Sequence, residues 1–261
     1  MPGRAGQSPI VPVHHQPVHE LVADQLRRAI HMGSYVADDR LPPERELAAR
    51  LKVSRMSVRE ATRVLVRQGY VERRRGSKGG IVVLDRGLDD ERLALVIKSM
   101  MPTLLQVFEF RRAVESEAAR LAAMRRTRRN ISALESAYRG MEKGLETRRF
   151  RAADSAFHLG IADAAGNEWM RMAIENARAA VWIPLDPLTD RVFRSAQFHH
   201  EQILTAIKDQ DADEAGRLAS EHIDFTLADL GRTADGPVKR SARSGRSSRN
   251  GGHDTPQLAL P

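Results

Sequence analysis

The sequence predicts a mainly α chain in two folded parts, an N-terminal winged helix-turn-helix followed by a C-terminal all-helical bundle. Three observations lead there. Two short helical patterns, Glu44–Leu51 and Arg55–Gln68, are separated only by Lys52–Val53–Ser54. Two β-type runs, Tyr70–Arg74 and Ile81–Leu84, flank the glycine-rich Gly76–Gly80. From Leu88 to about Leu230 helical periodicity is nearly unbroken.

Taken in order, residues 1–17 are rich in Pro, Gly, His and Gln and lack periodicity, which predicts a disordered leader. His14, His15 and His19 are metal-ligand types but fit a polar lead-in better. Val18–Met32 places Val18, Leu21, Val22, Leu26, Ala29 and Ile30 on one stripe of a first helix, which Gly33 ends. Leu47, Ala48 and Leu51, then Val58, Ala61 and Leu65, give the next two helices their apolar faces. Ser54 is placed to cap the second of these by accepting from an amide near Ser57 or Val58. Two helices on so tight a turn form the unit whose second helix enters a DNA major groove, and here that helix opens with Arg55, Ser57 and Arg59. The two-stranded wing after it carries Arg73, Arg74, Arg75 and Lys78, which suit phosphate contacts that position more than they specify.

Asp85–Asp90 reads as the linker. Beyond it, breaks at Met101–Pro102, Thr127–Asn130, Arg148–Phe150, Ala165–Asn167, Pro184–Asp190 and Gln210–Asp211 divide the periodic region into about six or seven helices, enough for a core of their own. Residues 231–261 turn to Arg, Ser and Gly, the composition of a disordered basic tail. The expected parts are therefore 1–17, 18–85, 86–230 and 231–261.

Composition supports this division. The chain has 261 residues and no cysteine, which removes disulfides and thiolate metal sites and fits a cytoplasmic protein. No apolar run approaches the roughly 18 to 20 residues that cross a bilayer, so no membrane partner is expected. The net charge of +8 sits at the ends: residues 1–85 hold 15 basic against 9 acidic side chains, residues 86–231 hold 21 against 23, and residues 232–261 hold 6 against 2. A basic end domain suits nucleic acid, whose condensed counterions it releases.

The informative residues of the second part are polar ones on apolar stripes, because burying them is costly without a partner. His200 lies mid-arc among Phe193, Ala196, Ile203, Leu204 and Ile207, with His199 at the edge. His222 projects between Leu218 and Phe225. The turn near Asp211 lies eleven residues from each of His200 and His222, so an antiparallel hairpin brings the two imidazoles to one height. Asp154 and His158, four apart, share a helix face beside Phe157 and Ile161. Three imidazoles and a carboxylate in a helical bundle suit a divalent metal of borderline character, Zn, Ni, Fe or Mn. Arg111, central to the stripe Leu104, Val107, Phe108, Ala118 and Ala122, faces inward, either to clamp a ligand carboxylate or to pair with Glu115 one turn on. Asn167, in Ala-Gly-Asn-Glu, reads as a helix cap.

Two stretches resemble known families. L-P-P-E-R-E-L-A, V-S-R-M-S-V-R-E-A and R-R-G-S-K-G-G-I-V-V, in that order and spacing, resemble the winged helix of the GntR family of bacterial transcription regulators over about Val18–Leu84. The resemblance implies DNA contacts by Arg45, Ser54, Arg55, Ser57, Arg59, Arg75 and Gly76. The departures from the family pattern are Met56, where a small polar residue is common, and the wing loop Gly76–Gly80, which is longer than the pattern by one residue. Asp154–His158 as D-x-x-F-H, H-x-x-I-L-x-A-I from His200, Ser220–His222 as S-E-H, and E-F-R-x-x-V-E from Glu109 are similar to the all-helical FCD effector domain of the FadR branch. That second resemblance implies Asp154, His158, His200 and His222 as metal ligands and prefers His200 to His199.

The function expected is a transcription regulator, a homodimer on a palindromic double-stranded operator, modulated by a small carboxylate effector held at the metal and Arg111. The alternatives are a regulator whose effector is the metal itself, or a metal-dependent hydrolase with an accessory DNA-binding domain. For the hydrolase, His200–Leu204 lacks the second histidine of H-E-x-x-H, and no general base is placed by motif. No enzymatic activity is therefore expected.

Overall fold

The computed structural model describes residues 16–76, 79–84, 90–147, 149–180 and 189–235. The leader (but for its last two residues), the linker stretch 85–89, Lys78 of the wing, the expected break at 184–188 and nearly all of the tail lie outside these. The first part comprises α1 (Val18–His31), α2 (Glu44–Leu51), α3 (Arg55–Arg67), β1 (Val71–Arg74) and β2 (Gly80–Val83). Its core closes most of the expected stripes on one another: Val22, Leu26 and Ile30, joined by Ala23, meet Leu47, Ala48, Val58, Ala61 and Leu65, and the wing adds Val71, Ile81 and Val83, while Val18 and Leu21, expected on the first stripe, are exposed. Lys52 closes α2 in the left-handed region at φ 53°, and Ser54 caps α3 with its hydroxyl oxygen, 3.0 Å from the Ser57 amide. The strands pair antiparallel, from Val71 opposite Val83 to Arg74 opposite Gly80, and Arg40 forms an isolated antiparallel bridge to Val82 of β2.

The second part is α4 (Asp90–Arg125), α5 (Arg128–Thr147), α6 (Phe150–Ala165), α7 (Glu168–Ala180), α8 (Thr189–Asp209) and α9 (Ala212–Asp235). Three expectations are corrected. Met101–Pro102 does not break the chain, because α4 runs through Pro102. The amide lost at proline is outweighed by one long stripe, Leu93, Ile97, Leu104 and Phe108, packed on Ile223 and Leu230 of α9. The same helix has the length and apolar character to cross a membrane, with a mean hydropathy of 1.4 over 18 residues, which the run-length reading missed. One stripe of it is buried against α9, while 22% of that 18-residue window is buried in all. The last helix also continues to Asp235, so residue 231, where the tail was expected to begin, lies inside α9.

α6 is the central element. Phe157 and Ile161 sit in a cluster with Ala118, Ala122, Leu134, Ile174, Ile203, Leu204 and Leu218, drawn from all the other helices of the bundle. Asn167 caps α7, accepting from the amides of Trp169 and Met170.

The two parts touch. His31 Nδ1 lies 2.7 Å from the Ala179 carbonyl oxygen, Arg28 Nη1 2.5 Å from Asn176 Oδ1, and Arg149 Nη2 2.9 Å from Asp39 Oδ1. Gly33, at φ +78°, fits here because a Cβ would stand 2.5 Å from the backbone nitrogen of Ala152.

Candidate metal centre and nucleic-acid interface

Three helices converge on one buried point. α6 supplies Asp154 and His158 on one face, α8 supplies His200 and α9 supplies His222; the three imidazoles are at most 4% exposed. One ring nitrogen from each lies within 4.8 Å of the other two. His158 Nε2 and His200 Nε2 are 3.3 Å apart, and the His200 and His222 rings are 4.4 Å apart between centroids. Asp154 Oδ1 lies 3.4 Å from His200 Nε2 and 3.6 Å from His158 Nε2. His199 is half-buried against Phe225 and stands outside this group.

Around these sit charged side chains that hold them. Glu115, buried on α4, accepts from His158 Nδ1 at 2.5 Å and from Arg111 Nε at 2.6 Å. Arg111 thus forms the internal pair with Glu115 through Nε. Arg178 of α7 reaches Asp154 Oδ2 with Nη2 and lies 3.4 Å from Ser155 Oγ. Arg178 and the bridging role of Glu115 were not recognised from sequence. The signal for Arg178 was present: it follows Ile174 by four residues, one turn along the apolar face of α7.

The electrostatics favour a cation. Burial drives the His200 imidazole down to about 3, opposed by the Asp154 charge. Burial also drives His222 well below its ordinary value, aided by His200 and His158. Burial would raise Asp154, yet Arg178 and the neighbouring imidazoles hold it well below the usual carboxylate range. Glu115 is likewise held low against its burial, by Arg111 and His158. Neutral imidazoles and ionised carboxylates are the forms that ligate a metal. The Nδ1 atoms of His200 and His222 are buried without a hydrogen-bond partner, so the donor set fits a divalent ion. The adjoining cavity, walled by Glu115, His158, Ile161, Ile174, Ile203 and His222, measures about 10 Å³. That is room for one ion or water and not for an organic acid.

The other candidate surface is the wing and the start of α3. Arg45, Arg55 and Arg75 are exposed and have no ionic partner among the described residues; Ser54 and Gly76 are exposed beside them, Gly76 at φ +99°. Ser57 is half-buried, its hydroxyl 2.9 Å from that of Ser54. Arg59 is exposed but bound through Nε to Glu44 at 3.2 Å, and Arg73 shares the same carboxylate at 2.5 Å. Arg74 pairs with Glu72 and Asp38.

Comparison with known proteins matches both halves. Residues 19–83 match the model described as bacterial regulatory proteins, gntR family, and residues 106–225 match the FCD domain. The chain is 33% identical over 222 residues to the Uxu operon transcriptional regulator of Escherichia coli (strain K12), covering 79% of this chain and 84% of that one. It is 30% identical over 244 residues to the HTH-type transcriptional repressor NanR of Klebsiella aerogenes, covering 89% and 92%. The solved structure of E. coli McbR/YncC superposes with a TM-score of 0.51 over 84% of this chain and 99% of its own, at 18% identity, a likeness of fold alone. The relatives are named as transcriptional regulators, not enzymes. A basic winged helix joined to a bundle with a buried imidazole cluster, matched along most of its length to such proteins, belongs to the GntR family of DNA-binding transcription regulators, in the group that carries a C-terminal FCD domain.

Proposed function

We propose that the protein is a homodimer that binds a palindromic operator through Arg45, Ser54, Arg55, Ser57, Arg59, Arg75 and Gly76. We further propose that Asp154, His158, His200 and His222 hold a divalent metal, Zn, Ni, Fe or Mn, which anchors a small carboxylate effector. The single observation that carries the metal is the meeting of three buried imidazoles, two with orphaned nitrogens, beside an ionised carboxylate. When bound, the ion supplies a Lewis-acid centre for an effector carboxylate. Glu115 orients the His158 ring by accepting from Nδ1, the outer-shell arrangement that leaves Nε2 to a metal. Dimerisation accords with a family whose members bind operator DNA typically as dimers and with the spacing of half-sites. The division at 85/86 and a cytoplasmic location belong to the same reading.

The small cavity favours a second reading in which the metal itself is the effector, since an ion fits and an acid requires side chains to move. One experiment separates the two. Metal content and operator-fragment retention are measured for the wild type and for His200→Ala with His222→Ala, with and without acetate or a related small acid. The effector reading expects metal to bind and retention to change only with acid; the alternative expects metal alone to change it. Stoichiometric metal surviving in the double variant would refute the site.

A further inference from the structure

We infer that the last turn of α7 is the lever between chamber and DNA reader, with Arg178 as the residue that meets an anionic ligand and Asn176 and Ala179 as the hold on α1. Three facts carry this. The Arg178 side chain is 8% exposed, its Nη2 is bound to Asp154, and its Nε is buried with no partner, so the guanidinium that holds Asp154 has an unused donor. Arg111, the other buried guanidinium, spends its Nε on Glu115. One residue beyond Arg178, the Ala179 carbonyl contacts His31 Nδ1, and one turn earlier Asn176 accepts from Arg28, both on α1.

The rest follows from rigidity. Because the cavity has room for only an ion, a carboxylate entering it must displace a side chain at its edge, and behind Asp154, outside the cavity wall, Arg178 is the buried guanidinium with an unsatisfied donor. A guanidinium satisfies a carboxylate through paired N–H groups, so Arg178 must turn from Asp154 toward the newcomer. Asn176, Arg178 and Ala179 share a single helical turn, so that displacement is felt at the Arg28 and His31 contacts. His31 also stands 3.3 Å from the Tyr70 hydroxyl at the foot of the wing, which places the far end of the lever inside the DNA-binding half. The two arrangements differ in contacts at both ends, which is what coupling between sites requires.

This inference rests on the carboxylate reading only in its second arm, so the test has two. In the first, full-length apo protein is followed by hydrogen exchange at the amides of residues 30–34, whose acceptors include Arg28, Ala29 and Ile30. Arg178→Gln should speed exchange there about tenfold while Arg178→Lys retains most of the protection. Ile174→Ala, which loosens α7 without touching the guanidinium, should leave residues 30–34 near the wild-type rate. Wild-type exchange in Arg178→Gln, or an equal effect from Ile174→Ala, overturns the lever. In the second arm, Zn²⁺ and millimolar acetate are added to the wild type and to His31→Gln. Altered exchange in α6 and α9 together with residues 30–34, lost at residues 30–34 alone in His31→Gln, supports the lever. Altered exchange confined to α6 and α9 in the wild type overturns it. No change in any helix refutes the carboxylate chamber instead, and the first arm then decides the lever.

Discussion

Glu115→Gln tests the centre most directly. Glu115 is 4% exposed and is the shared acceptor of Arg111 and His158. Removing its charge leaves the Arg111 guanidinium, itself 6% exposed, without its counterion. Breaking one partner of a buried pair costs about 3 to 5 kcal/mol, and glutamine, which keeps the volume and an acceptor, belongs at about 3 kcal/mol. For a chain of this size that lowers Tm by roughly 6 to 12 °C. The second consequence concerns the metal. Glutamine fixes the His158 ring less firmly and withdraws negative charge from it, so affinity for Zn²⁺ should fall roughly 10- to 100-fold. Urea unfolding and competitive Zn²⁺ titration measure the two effects separately. Replacing both members, Arg111→Met with Glu115→Leu, should recover much of the stability because no charge is left stranded, while Zn²⁺ affinity stays low. A Glu115→Gln protein within about 1 kcal/mol of wild type, with Zn²⁺ affinity changed less than about threefold, would refute the reasoning.

Other outcomes follow from the same structure. Gly33→Ala places a Cβ 2.5 Å from the Ala152 nitrogen at a left-handed φ, and should cost roughly 2 to 4 kcal/mol in urea unfolding; a loss under about 0.5 kcal/mol would mean the two halves do not seat there. Arg55→Ala should weaken specific operator binding by about 1 to 3 kcal/mol, read by fluorescence anisotropy, and an unchanged Kd would remove α3 as the recognition helix. Glu44→Gln, which releases Arg59 and Arg73, should tighten DNA binding and steepen its salt dependence; weaker binding would show that Glu44 positions these arginines for DNA. Metal-free protein should lose stability on acidification. His200 and His222 have folded values below the unfolded 6.5, so the unfolded chain binds the extra protons. Their contribution is complete above 6.5 and drains as pH falls toward the folded values, at roughly 1.4 kcal/mol per pH unit for each histidine. Asp154 and Glu115, also held low, add a loss of the same sign at lower pH. A urea midpoint that stays flat from pH 6.5 to 5 would contradict the burial of neutral imidazoles.

Much of this architecture was legible from local pattern. The turn Lys52–Ser54, the Ser54 cap and the glycine-rich wing are decided within a few residues by capping, left-handed φ and strand propensity, and α2 was expected with the bounds it has. His200 and His222 could be set at one height because they are neighbours through a single tight turn, and a helix's fixed rise turns sequence distance into height. Periodicity failed where packing overrode a local signal. Pro102 should end a helix, yet a stripe against α9, more than a hundred residues away, keeps α4 continuous.

The sequence by itself thus determined which faces are apolar and which polar residues must be buried with them, because both follow from a period within one element. Only the tertiary structure decided which buried groups meet. Glu115 joining Arg111 to His158, Arg178 holding Asp154, and His31 resting on Ala179 each depend on the rotation and sliding of one helix against another distant in the chain. That placement is set by the sum of many side-chain contacts across the core, and no single spacing in the sequence records it.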